Sequence, residues 1–281
     1  MSHRTAVTAG ARLARQRTPE AAGGRLLLRA VGLLLAGLGS PAVVSAQAVE
    51  PREVLTDAGL YFTAPLRWDT SDWLHAGGSL LAIAAARGID RPVRDHFVDD
   101  NEPLTTKDDN ELRDFLPAVA LIGGTWIYAS YLDSDPGYRE LGSMIEAGAL
   151  TGASTALLRV GLGRERPNET DDPDRWFHGG DGMPSLHVST TFAVGTVFAE
   201  SGSDDFRWVR RILGYGAASG AAYLRVKDNQ HWASDIVAGA ALGYFSARFV
   251  MHRRDGNEQQ SSLMLIPRDG GLMLTFSRPL Q

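Results

Sequence analysis

Three separated groups of residues carry the chemistry of this sequence: Arg159 to Pro167, Pro184 to His187, and Arg225 to Asp235. Between them they hold arginines, two histidines and an aspartate. Those are the groups needed to bind a phosphate-like anion and attack it. Arginine is permanently charged and offers a planar fork of donors that matches two phosphate oxygens. His231 and Asp235 stand four apart, so on a helix they share one face. A carboxylate accepting a hydrogen bond from one ring nitrogen would fix the tautomer and leave the other nitrogen free to attack. Ser185 reads as a helix N-cap, where free backbone N–H groups favour an anion. His187 then falls in the first turn, placed as a proton donor to a leaving group. Arg164 offers a third phosphate contact, but with Glu165 beside it an exposed ion pair is the favoured reading.

Each group has a blander reading by itself. A His-x-x-x-Asp pair can be a surface contact, a serine before a histidine an ordinary cap, and arginines at a helix C-terminus companions of the dipole. Their joint occurrence, in order, favours the catalytic reading.

These residues need elements to position them. Stretches rich in Ala, Gly and Leu predict helices near 71–87, 109–132, 138–161, 186–200, 205–223 and 231–252. Strand-like alternation is scarce there, so the body is expected to be all-α, a helical bundle. Turn chemistry marks 133–137, 168–174 and 179–182. The longest uncharged runs, 115–132 and 182–199, are interrupted by Pro117, glycines, hydroxyl residues and His187. A spanning helix needs about 20 predominantly apolar residues, so a bundle outside the membrane is the expectation. Residues 254–261 read as a polar linker. Two short strands around Arg268-Asp269-Gly270-Gly271 then predict a C-terminal β-hairpin.

The first 46 residues resemble an export leader: six arginines against one glutamate, an apolar stretch from Ala30 to Leu38, then Gly39, Ser40, Pro41 and small residues suited to cleavage. An uncleaved anchor is the alternative. The expected organisation is a leader over 1–46, a catalytic bundle over 47–253, and a linker with hairpin over 254–281, exported to a bacterial periplasm. The 281 residues contain no cysteine, which excludes disulfides, thiolate metal sites and a cysteine nucleophile. Without the first 46 residues the chain has 22 basic and 32 acidic side chains, a net charge of −10. That excess argues against nucleic acid as a partner and against broad electrostatic binding to anionic lipid. The acidic stretches 95–111 and 169–174 lack the alternating ligands of a calcium loop and read as solvated.

Arg159-x6-Arg166-Pro167, Pro184-Ser185-Leu186-His187 and Arg225-x5-His231-x3-Asp235 resemble the three signature motifs of the type 2 phosphatidic acid phosphatase (PAP2) superfamily, which also holds bacterial acid phosphatases and vanadium haloperoxidases. The resemblance covers roughly residues 70–250. It implies His231 as nucleophile, Asp235 as its orienting partner and His187 as acid and then base. It also implies Arg159, Arg166, Arg225, Ser185 and the Leu186 amide as phosphate ligands, with no metal or other cofactor. Vanadate could bind there as a phosphate mimic or inhibitor. Three positions depart from the pattern: arginine for the usual lysine at 159, leucine for glycine at 186, and leucine for serine at 224. The expected activity is hydrolysis of a phosphomonoester or diphosphate, soluble or lipid-linked, with peripheral membrane contact allowed. A vanadate-dependent haloperoxidase, a lipid head-group phosphotransferase and a non-catalytic anion-binding protein stand as alternatives.

Overall fold

Small residues dominate the helical stretches, and their packing decides the architecture. The computed structural model describes residues 51–98, 111–132, 134–202, 204–258, 262–268 and 271–277. The expected leader lies outside the described residues, as does 99–110. Among the described residues eight α-helices follow one another: α1 (Pro51–Phe62), α2 (Thr70–Arg87), α3 (Asp90–Phe97), α4 (Glu111–Tyr131), α5 (Ser134–Leu162), α6 (Leu186–Glu200), α7 (Arg207–Lys227) and α8 (Ala233–Glu258). A 3-10 turn, Ala64–Arg67, joins α1 to α2. Two strands, β1 (Ser262–Arg268) and β2 (Gly271–Ser277), pair antiparallel with Arg268 opposite Gly271. The fold is the expected all-α helical bundle, with the hairpin appended.

Helix α6 is the axis, packed by α8, α7, α5 and α4. The core it shares with α5 and α8 holds Met144, Ala147, Leu150, Ala193, Val194, Val197, Ala247 and Val250, with Tyr61 and Phe249 at its edge. Backbones approach closely there. A Cβ on Gly195 of α6 would lie 2.6 Å from the Gly214 carbonyl oxygen of α7, and one on Gly243 of α8 would collide with the Ser189 carbonyl of α6. Close approach buries more surface per turn and locks the helix ends, where the motif residues sit, into one register.

Several boundaries differ from the expectations. Residues 134–137, expected as a turn, begin α5 instead, because Pro136 in a first turn lacks only an N–H that the helix does not use. Helix α7 continues to Lys227, so Arg225 lies in its last turn. Helix α8 starts two residues after His231 and runs past the expected linker boundary to Glu258. Arg253 and Arg254 tie that extension to Asp57 and Glu146 at 2.8 Å each. Helices α1 and α3 were not expected. Among the described residues no helix is long and apolar enough to cross a membrane, yet large apolar side chains stand exposed, including Trp73, Leu74, Leu80 and Leu81 on α2 and Trp208 and Ile212 on α7.

Candidate active site

The three motifs meet where α5 ends and where α6 and α8 begin. The chain leaves α5 through Gly163, whose positive φ of 51° turns it back on itself. The backbone of 163–165 then lies against the glycine-rich loop: Gly180 N–H donates to Gly163 O at 3.2 Å and Gly182 N–H to Arg164 O at 2.8 Å. Ser185 N–H donates to Asp235 O at 3.2 Å, which fastens the start of α6 to the first turn of α8.

His231 is buried just before α8. Its Nδ1 lies 2.8 Å from the Gly182 carbonyl oxygen. A carbonyl only accepts, so Nδ1 carries the proton and Nε2 keeps its lone pair. Nε2 is buried with no hydrogen-bond partner among the described residues. Asp235 does not orient the ring as expected: its Oδ2 is 3.7 Å from Nδ1 and instead accepts from Trp232 N–H at 2.9 Å. The reason is geometric. His231 precedes the helix rather than riding one turn behind Asp235 on its face, so the carboxylate caps the helix start. Burial pushes Asp235 up to about 6, against the pull of Arg164, the Trp232 N–H and Arg159, so it is ionised at neutral pH.

Arg164 also departs from the expectation. It is fully buried rather than exposed beside Glu165. Its Nη1 donates to Asp235 Oδ1 at 2.5 Å and Ser234 Oγ at 2.7 Å, and Nη2 to Asp90 Oδ2 at 2.7 Å and Pro173 O at 2.8 Å. Asp90, at the start of α3, accepts from Ser234 N–H at 2.8 Å as well. Glu165 pairs with Arg175. Trp176 and Trp232 stack on the Arg164 guanidinium at 4.6 and 5.6 Å. Sequence reasoning missed Asp90 and Asp181, and no local signal marks either.

Arg159 reaches in from the last turn of α5, its Nε donating to Pro184 O at 2.9 Å. Its Nη2 is buried and unpartnered among the described residues. Burial and neighbouring arginines push it down to about 10, well above neutrality. Arg166 donates through Nε and Nη2 to the two oxygens of Asp181, at 2.7 and 2.8 Å, and through Nη1 to Gln230 at 2.9 Å. Arg225 is buried in the last turn of α7.

Ser185 holds the N-cap position of α6, but its side chain makes no capping bond. Its Oγ is buried and unpartnered among the described residues. The N–H groups of Leu186 and His187 open the helix without intrahelical acceptors. His187 packs on Phe115 at 4.2 Å between ring centres, and neither ring nitrogen has a partner among the described residues. Both histidines are held well below the usual imidazole range. Burial is the main cause, and Arg159, Arg166 and Arg225 add to it for each ring. The same charges act on both rings, which places the two histidines around one electropositive centre. Its cations are arginines, and among the described residues no three His, Asp or Glu side chains gather as a metal-ligand set.

Neutral imidazoles suit a nucleophile at once. His187 as an acid needs more: a bound dianion would offset the arginine charges and raise its affinity for a proton.

Comparison with known proteins follows the same residues. Residues 140–259 match the family model of the PAP2 superfamily. A stretch of 95 residues, 34% of this chain, is 34% identical to a lipid A 1-phosphatase of Porphyromonas gingivalis, and the match spans 19% of that protein's length. A solved structure of a transmembrane PAP2-type phosphatidylglycerolphosphate phosphatase from Bacillus subtilis aligns over 83% of this chain and 96% of its own, with a TM-score of 0.37 and 15% identity. All three motifs lie inside the segment, residues 140–259, that matches the PAP2 superfamily model, and they gather around one centre.

Proposed function

We propose that this protein is a phosphatase that hydrolyses a phosphomonoester or diphosphate, with a lipid phosphate or polyprenyl diphosphate favoured, through a phosphohistidine. One observation carries the reading: His231 presents an unpartnered Nε2 lone pair, with its Nδ1–H held by Gly182, inside a ring of arginine charge. Nε2 attacks phosphorus in line, and the bond to the leaving oxygen breaks as the N–P bond forms. His187, protonated once the dianion is bound, passes its proton to the leaving oxygen. It then takes a proton from water, which attacks the phosphohistidine and releases inorganic phosphate and free His231. Arg159, Arg166 and Arg225, with Ser185 Oγ and the amides of Leu186 and His187, bind the equatorial oxygens while charge shifts between attacking and leaving atoms. In this reading arginines do the work of a metal clamp, so no metal is needed.

The lipid preference rests on the surface and on kinship. An apolar groove of about 550 Å³ lies between α2 and α8, with Leu74, Tyr244 and Phe245 in its walls and Phe192 of α6 and Tyr215 of α7 at its floor. The exposed apolar residues of α2 and α7 would favour contact with a lipid surface. The matched lipid A 1-phosphatase points to the same substrate class.

The test is phosphate release in the presence of chelator, comparing a lipid phosphate, a polyprenyl diphosphate and soluble monoesters. His231→Ala should lower turnover by about 10⁴-fold or more with an unchanged helical circular-dichroism spectrum. Full activity in that variant, or loss of wild-type activity in chelator, would sink the mechanism.

A further inference from the structure

The arginine clamp already holds an anion, and that anion belongs to the protein. Asp181 places its two carboxylate oxygens on Nε and Nη2 of Arg166, at 2.7 and 2.8 Å. Those two nitrogens form the edge of the guanidinium that would otherwise grip two phosphate oxygens. A third contact runs from Arg159 Nη1 to Asp181 Oδ2 at 3.3 Å. One carboxylate thus bridges the two arginines of the first motif. The pull of both cations outweighs partial burial and holds Asp181 below the usual carboxylate range.

The surroundings let this contact open. The Asp181 side chain is 50% exposed, whereas those of Arg159 and Arg166 are 14% and 15% exposed. The backbone on either side is pinned, Gly180 N–H to Gly163 O and Gly182 N–H to Arg164 O. The loop therefore need not move. Rotation about χ1 between staggered positions can carry the carboxylate into solvent, and exposed side chains make such moves in picoseconds to nanoseconds. Because Gly182 also holds the His231 ring through its carbonyl, the nucleophile keeps its orientation while the neighbouring side chain leaves.

We propose that Asp181 is an internal competitor for the phosphate site, and that a phosphoryl ligand binds by displacing its carboxylate from Arg166 and Arg159. This rests on the phosphatase reading for the identity of the ligand. An anion that finds the clamp free only part of the time binds with an affinity reduced by that fraction. Asp181 then weakens ground-state binding of substrate and of product phosphate alike, and speeds release of product from a strongly cationic site.

The test is binding, which needs no turnover. The full chain and its Asp181→Asn variant are titrated calorimetrically with inorganic phosphate and with vanadate at one pH and salt concentration, after circular dichroism shows the same fold. Asparagine keeps the size and loses the charge. Binding of each anion should tighten by at least about tenfold in the variant. Equal or weaker binding in the variant overturns the proposal while leaving the phosphatase reading intact. A wild-type chain and variant that both bind neither anion overturn the phosphatase reading and this proposal with it. Lost charge alone could also tighten binding, so a structure of the wild type with vanadate decides the mode. Asp181 should stand out of hydrogen-bond reach of Arg166, and an Asp181 still bridging both arginines beside bound vanadate refutes displacement.

Discussion

At the scale of single residues, the side chain that organises the site is Arg164. It joins Asp90 of α3 to Asp235 of α8, with all three side chains fully buried. Removing it would leave two buried carboxylates without their cation, a loss of the kind that costs about 3–5 kcal/mol. Arg164→Ala is therefore expected to lose roughly that much stability in a denaturant titration and to release the start of α8, on which His231 depends. A variant within about 0.5 kcal/mol of wild type would show that the network is dispensable. The chemistry-bearing residue types were legible: His231, His187, Arg159, Arg166 and Arg225 come to one place. Their partners were not. Arg164 has Glu165 next to it in sequence, but its partners lie 71 and 74 residues away, and no local pattern announces a pairing that only folding creates.

At the scale of elements, helix existence followed from composition, and helix position followed from glycine. Gly195 and Gly214 let α6 and α7 touch backbone to backbone. Gly195→Val would push a branched side chain into the Gly214 carbonyl, and fixed backbone atoms cannot yield as a flexible side chain would. We expect a loss of about 3 kcal/mol or more, read as a lowered unfolding midpoint. Gly216, exposed on α7 with nothing near its Cβ position, is the contrast. Gly216→Ala should stabilise by about 0.5–1 kcal/mol, and a matching loss at both positions would contradict the packing account. The helices that sequence reasoning missed, α1 and α3, are 12 and 8 residues long, and α3 is anchored by Ser234, whose N–H and hydroxyl donate to the Asp90 carboxylate.

At the scale of the whole molecule, the site makes stability depend on pH. His187 and His231 have imidazoles held below their ordinary range in the folded protein. The unfolded chain therefore takes up protons first as pH falls below about 6.5. Stability from the two groups is full above that pH and is lost on acidification, by up to about 1.4 kcal/mol per pH unit for each. Asp235, raised to about 6, runs the other way below that value and offsets only one of the two. Denaturant unfolding should thus show a less stable protein at pH 5.5 than at pH 7.5, and His187→Asn should make the fall shallower. An identical fall in that variant would remove His187 from the explanation.

The sequence by itself determined the kind of fold and singled out the residues on which the proposed chemistry rests. Residue type and order are enough for both, because only certain side chains suit binding and attack of a phosphoryl group, and helix-forming composition is read locally. The tertiary structure decided the pairings: Gly182 rather than Asp235 accepts from His231 Nδ1, Asp90 and Asp235 share a buried Arg164, and Asp181 sits on Arg166 and Arg159. Such pairings depend on distances between segments far apart in the chain, and those distances exist only once the glycine-lined helices have closed on one another.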